Sequence, residues 1–115
     1  MKTSNLKPCI KLTIENPQSC SKSAFGPGIA ALCDGVRETG SLNAAAKNMG
    51  MAYSKAWRII KETESALGVQ MLVRDGAHGS TLTPDCIKIL DSYYALRASL
   101  QQKGETDFKK MLSKK

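Results

Sequence analysis

The sequence predicts a mainly helical fold with a small β component, and three observations carry that expectation. Apolar residues recur at i, i+3, i+4 and i+7 spacing in successive stretches that end on glycine. An Asp-Gly pair and a second glycine then mark a tight β-hairpin within residues 74–81 (RDGAHGST). A last segment, from Pro84 onward, returns to helical spacing and is apolar on more than one stripe.

Taken in order, residues 9–15 (CIKLTIE) alternate Ile10, Leu12 and Ile14 against Lys11, Thr13 and Glu15, the period of a half-buried strand. Asn16-Pro17-Gln18-Ser19 is turn chemistry, and residues 21–25 are expected to return as the second strand of a hairpin. Pro27 is placed to open a helix whose inner face is Ile29, Leu32, Cys33 and Val36, with Gly40 as its stop. Ser41 is a good N-cap for a short second helix carrying Leu42, Ala45, Ala46 and Met49, closed by Gly50. A third helix, residues 53–67, faces Ala56, Ile60, Thr63 and Leu67 inward and stops at Gly68. Residues 69–73 are apolar enough for a strand, and Thr83-Pro84 reads as the cap and first residue of a final helix reaching about Lys103.

Composition narrows the class. A chain of 115 residues, 42% hydrophobic and 23% charged, has room for one globular domain (expected over 1–104) and a basic flexible tail (105–115). No apolar run approaches the ~20 residues of a membrane helix, and the N-terminus lacks a signal-type hydrophobic stretch, so a cytoplasmic protein without membrane association is expected. The four cysteines form no Cys-x-x-Cys pair and the single histidine, His78, has no partners at ligand spacing, so no metal and no cofactor is expected. Cys33 and Cys86 fall on apolar stripes and are expected in the core. A formal net charge of +7 suits a polyanionic partner, although charge by itself is weak evidence.

Two helices joined by a glycine turn, then a short β-hairpin, are the order of a winged helix-turn-helix. Ala44, Ala45 and Ala46 supply the small side chains that let a crossing helix approach closely. The outward face of residues 53–61 presents Tyr53, Ser54, Lys55, Trp57, Arg58 and Lys61, donors and cations in the turns that enter a major groove. Arg58 is suited to guanine or to phosphate, and Lys55 and Lys61 to phosphate. Trp57 either contacts DNA or packs as scaffold. Ser41 at the second helix and Arg74, His78, Ser80 and Thr81 in the wing complete the predicted DNA-contacting set. The expected partner is double-stranded DNA.

On the final helix, Cys86, Leu90 and Tyr93 form one apolar line and Ile89, Tyr93, Leu96 and Leu100 a second. One small domain cannot readily cover both, so the second line is expected to form a homodimer interface. A winged helix used only for protein–protein contact is the alternative function. No nucleophile–base pair, metal cluster or paired-carboxylate arrangement points to an enzyme.

The run from Gly40 to Pro84 resembles the N-terminal winged helix of the ModE family of molybdate-responsive regulators, and more distantly the LysR-type DNA-binding domain. The marks are FGPG (25–28), GSL with AAK (40–47), Tyr-Ser-Lys-Ala-Trp (53–57), LGV (67–69) and Leu82-Thr83. The resemblance implies a sequence-specific regulator that binds a near-palindromic operator as a homodimer, reading it with Tyr53, Ser54, Lys55 and Arg58. Ala52 stands where that family usually has a capping serine, and the wing is shorter. With no molybdate-binding domain following the winged helix, the stand-alone form is expected.

Overall fold

The computed structural model describes residues 3–20, 23–76 and 79–114, the side chain of Asp75 apart. Helices α1 (Pro27–Thr39), α2 (Leu42–Asn48) and α3 (Tyr53–Leu67) are followed by strands β1 (Leu72–Asp75) and β2 (Gly79–Leu82) and the long helix α4 (Pro84–Ser113). The strands pair antiparallel, with Leu72 opposite Leu82 and Arg74 opposite Ser80. This is a mostly helical winged helix with a small two-stranded sheet.

The starts and stops follow local chemistry. Pro27 opens α1, the Ser41 hydroxyl accepts the Ala44 N–H at 3.2 Å, and the Thr83 hydroxyl accepts the Cys86 N–H at 3.1 Å. Gly68, at φ 75°, closes α3 by donating its N–H to the Glu64 carbonyl. Ala52 supplies no side-chain cap to α3, as its methyl requires.

Phe25, Leu32, Val36, Leu42, Ile60, Met71, Leu90 and Tyr93 fill one core between the helices and the sheet. Cys33 and Cys86 are buried within it, their sulfurs 3.8 Å apart. The α1–α2 crossing is tight because Gly35 faces Ala45: a Cβ on Gly35 would sit 2.9 Å from the Ala45 Cβ. Ala56, Ile60 and Thr63 face inward as the periodicity requires, Leu67 is half-buried, and Ala66 joins them.

Four expectations are corrected. Residues 9–13 form no strand; among the described residues of this segment Ile14 and Phe25 alone pair, exchanging two hydrogen bonds of 2.8 Å, and positions 21 and 22 of the expected return strand lie outside the described residues. The alternation of exposure along this segment is real, but side chains of α4 take the place of a partner strand. Gln101 accepts the Ile10 N–H at 2.9 Å and donates to the Pro8 carbonyl at 2.7 Å, while the Tyr93 hydroxyl donates to the Leu12 carbonyl at 2.9 Å. Second, β1 begins at Leu72 and not Val69, because the chain first turns back onto Glu64. Third, Met49 is the exposed C-cap of α2 and not part of its buried face.

Fourth, α4 does not stop near Lys103; residues 105–113 are its last turns and not a flexible tail. Gly104 does not break it, and Ile10 packs directly on that glycine. A Lys103–Asp107 ion pair of 2.9 Å, at helical i, i+4 spacing, spans the same point. Thirty residues at 1.5 Å each make a rod of about 45 Å.

Candidate nucleic-acid interface

The wing is fixed to the helix-turn-helix at two places. The Ser80 N–H donates to the Gly40 carbonyl at 2.8 Å, joining β2 to the α1–α2 turn. On the other side the Glu64 carboxylate accepts the N–H groups of Met71 and Leu72 at 2.7 and 3.4 Å, joining α3 to the start of β1. Thr83 closes the base of the hairpin itself, its hydroxyl donating to the Gln70 carbonyl at 2.6 Å. The hairpin and α3 therefore present one continuous face.

Two open clefts lie on that face. One, of about 530 Å³, is bounded by Ser41, Leu42, Asn43, Tyr53, Arg74 and Ser80. The other, of about 550 Å³, is bounded by Trp57, Arg58, Lys61, Gln70, Val73 and Arg74. Arg74 borders both. It forms the ridge between the beginning of α3 and its middle.

Most predicted contact residues converge here. Tyr53, Ser54, Lys55, Arg58 and Lys61 on α3 and Arg74 on β1 are all exposed. Lys55 and Arg58 form no ion pair among the described residues, whereas Lys61 is bound to Glu64 at 3.3 Å. Trp57 is half-buried against the core and meets the Tyr53 ring edge-on, centroids 6.3 Å apart. Lys61 and Arg74 lie 5.3 and 5.1 Å from the Trp57 ring centroid.

Other predicted residues are placed differently. Ser80 is buried, at 7% exposure, and its backbone serves the tie to Gly40, so its side chain offers an outside partner little surface. The Ser41 hydroxyl is half-buried and engaged as the α2 cap. Thr81 is exposed on β2, and His78 lies outside the described residues. On α4, Leu96 and Leu100 are exposed and Ile89 half-buried. Tyr93 is corrected: it is fully buried within the single chain, hydrogen-bonded to Leu12 and edge-on to Phe25 at 5.3 Å, and offers no surface to an interface.

Glu64 is the residue sequence reasoning missed. It interrupts no apolar period, and its acidity suggests only a charge turned from DNA. The available signal was the following LGV turn, whose N–H groups need an acceptor before the strand begins. Among the described residues no group of three or more His, Cys, Asp or Glu could hold a metal ion, and no helix is long and apolar enough to cross a membrane.

Fold and face together define a winged helix-turn-helix. Residues 31–86, just under half of the chain, match the model of the bacterial regulatory helix-turn-helix protein family of lysR type. Among solved structures, a crystal structure of a CbnR DBD–DNA complex is similar in fold, with a TM-score of 0.56 and 24% identity over 74% of this chain and 94% of that one. No curated protein matches. The family match falls on the LysR side of the two resemblances noted in the sequence, the side ranked there as the more distant, and the structural neighbour bears on the fold alone.

Proposed function

We propose that this protein is a sequence-specific DNA-binding transcriptional regulator of the cytoplasm, acting as a homodimer on a near-palindromic operator. The observation that carries this is the pair of exposed cations, Lys55 and Arg58, without an ion-pair partner among the described residues and set in the first two turns of α3, with Arg58 bordering one cleft together with the wing cation Arg74. Support comes from the lysR-type match over α1 to the start of α4, and from a structural neighbour solved with DNA.

In this reading α3 enters the major groove by its N-terminal half. Arg58 reads guanine or clamps phosphate, Lys55 holds phosphate, and Tyr53, Ser54 and Thr81 contact the backbone. Lys61, held by Glu64, contributes less than Lys55. Leu96 and Leu100, exposed at 46% and 38%, form the dimer seam with Ile89, and the far end of α4 extends it. The ModE-type resemblance belongs to the same reading as a proposal of ancestry, with any signal reaching the winged helix from elsewhere than residues 31–86.

Selection of bound duplexes from a random DNA library tests the proposal. A recurrent site with two related half-sites is expected, bound less tightly as salt rises. Recovery of no preferred sequence, together with salt-insensitive binding, would favour the protein–protein module instead.

A further inference from the structure

We infer that Trp57 is a positioning residue that holds the wing cation Arg74 against the recognition helix and does not itself touch DNA. The inference rests on the DNA-binding reading above and adds a division of labour within it. Three observations carry it, each from a different part of the indole.

The ring is anchored first. Trp57 packs half-buried against the core, and Tyr53, one turn earlier on α3, meets it edge-on. The polar edge is closed second: Nε1 is out of solvent and has no hydrogen-bond partner among the described residues. Indole donates only through that N–H, so Trp57 offers neither a base edge nor a phosphate a hydrogen bond. The π surface is engaged third, with Lys61 Nζ at 5.3 Å and Arg74 Cζ at 5.1 Å from the ring centroid. Both lie inside the ~6 Å range of cation–π attraction.

The two cations differ in what the contact does. Lys61 is one turn from Trp57 on the same helix and is also held by Glu64, so its position is local. Arg74 comes from β1 and has no ion pair among the described residues; the indole is its tertiary contact with α3. A free arginine side chain loses much rotamer freedom when it docks on a phosphate. Resting on Trp57, the Arg74 guanidinium is placed beforehand at the ridge between the two clefts, with its donors free to face outward.

The test uses the full chain, a duplex carrying the selected site, and the variants Trp57→Leu, Trp57→Phe, Arg74→Ala and the double variant Trp57→Leu/Arg74→Ala. Affinity and its salt dependence are measured by anisotropy of the labelled duplex, and thermal unfolding checks that each variant folds. Trp57→Leu should weaken binding about two- to fivefold, the scale of an exposed cation–π contact. It should also reduce the salt slope, and add no loss on top of Arg74→Ala. Trp57→Phe, which keeps a ring but no N–H, should bind within about twofold of the parent. Additive losses, or a Phe variant as weak as the Leu variant, would overturn the inference. Because the chain has a single tryptophan, its indole N–H resonance is one peak, read in the free protein. Arg74→Ala should move that peak; an unmoved peak would also overturn the inference. Absence of salt-dependent DNA binding in the parent would instead reject the functional reading, with the indole–Arg74 contact still judged by the resonance.

Discussion

The carboxylate of Glu64 accepts the backbone N–H of Met71 at 2.7 Å, and this bond ties α3 to the first strand of the wing. The same side chain reaches the Leu72 N–H and the Lys61 ammonium, so one residue sets the distance between helix and hairpin. Glu64→Ala removes a charged acceptor from partly buried donors and should cost about 1.5–3 kcal/mol. Urea unfolding measures the loss. Glu64→Gln, which retains an acceptor oxygen, should lose less.

The crossing of α1 and α2 depends on the missing side chain of Gly35. A methyl group there meets the Ala45 Cβ at 2.9 Å, closer than such atoms pack, so the helices must separate. Gly35→Ala should destabilise by about 1–3 kcal/mol despite alanine's better helix propensity. An unchanged or raised thermal midpoint would contradict this account of the crossing.

The cysteines divide by burial. Cys9 and Cys20 are exposed and should react with a thiol reagent in the native protein, whereas Cys33 and Cys86 should react only on unfolding. The hydrogen bond shared with Cys86, and burial, push the Cys33 thiol well above its ordinary 9.0. Its proton therefore stays on in the fold while the unfolded thiol loses it. The resulting contribution to stability is complete below about pH 9 and declines above it, offset in part by Cys86, whose thiol the same hydrogen bond pulls below its ordinary value; a series of unfolding curves at rising pH would display the balance.

The proposed dimer seam keeps Leu96 and Leu100 and leaves out Tyr93, which the sequence places on the same stripe. Leu96→Glu with Leu100→Glu should give a monomer by sedimentation while leaving the core intact, since both side chains are exposed. Tyr93→Phe should do the opposite. It should lose about 1 kcal/mol of stability with its bond to the Leu12 carbonyl and leave the oligomeric state unchanged.

These residues also show where sequence pattern was sufficient. Helix α3 and its glycine stop were legible because Ala56, Ile60 and Thr63 repeat at helical spacing and Gly68 must take a left-handed turn. The exposed cations Lys55 and Arg58 followed from the opposite face of the same wheel. Tyr93 was not legible in this way, because it belongs to both apolar lines of α4 and only the position of Phe25 and Leu12 decides which line turns inward. The N-terminal segment had a strand's alternation, but its backbone partners are Gln101 and Tyr93, more than 80 residues away. The length of α4 was hidden by Gly104, whose place against Ile10 is a tertiary fact. Within the interface, the burial of Ser80 was not legible, because a wing serine looks open until its strand is seen to pack on Gly40.

The central claim is that the open face of α3 reads DNA, and binding of the selected duplex by the parent, Lys55→Ala and Arg58→Ala over a range of salt tests it most directly. The expected result is a steep loss of parent affinity with salt, and a slope about one unit shallower for Lys55→Ala on every duplex. Arg58→Ala should lose about 1–3 kcal/mol of discrimination between the selected site and a mutated one. Parent-like affinity, slope and discrimination in both variants would contradict the assignment of α3 as the recognition helix.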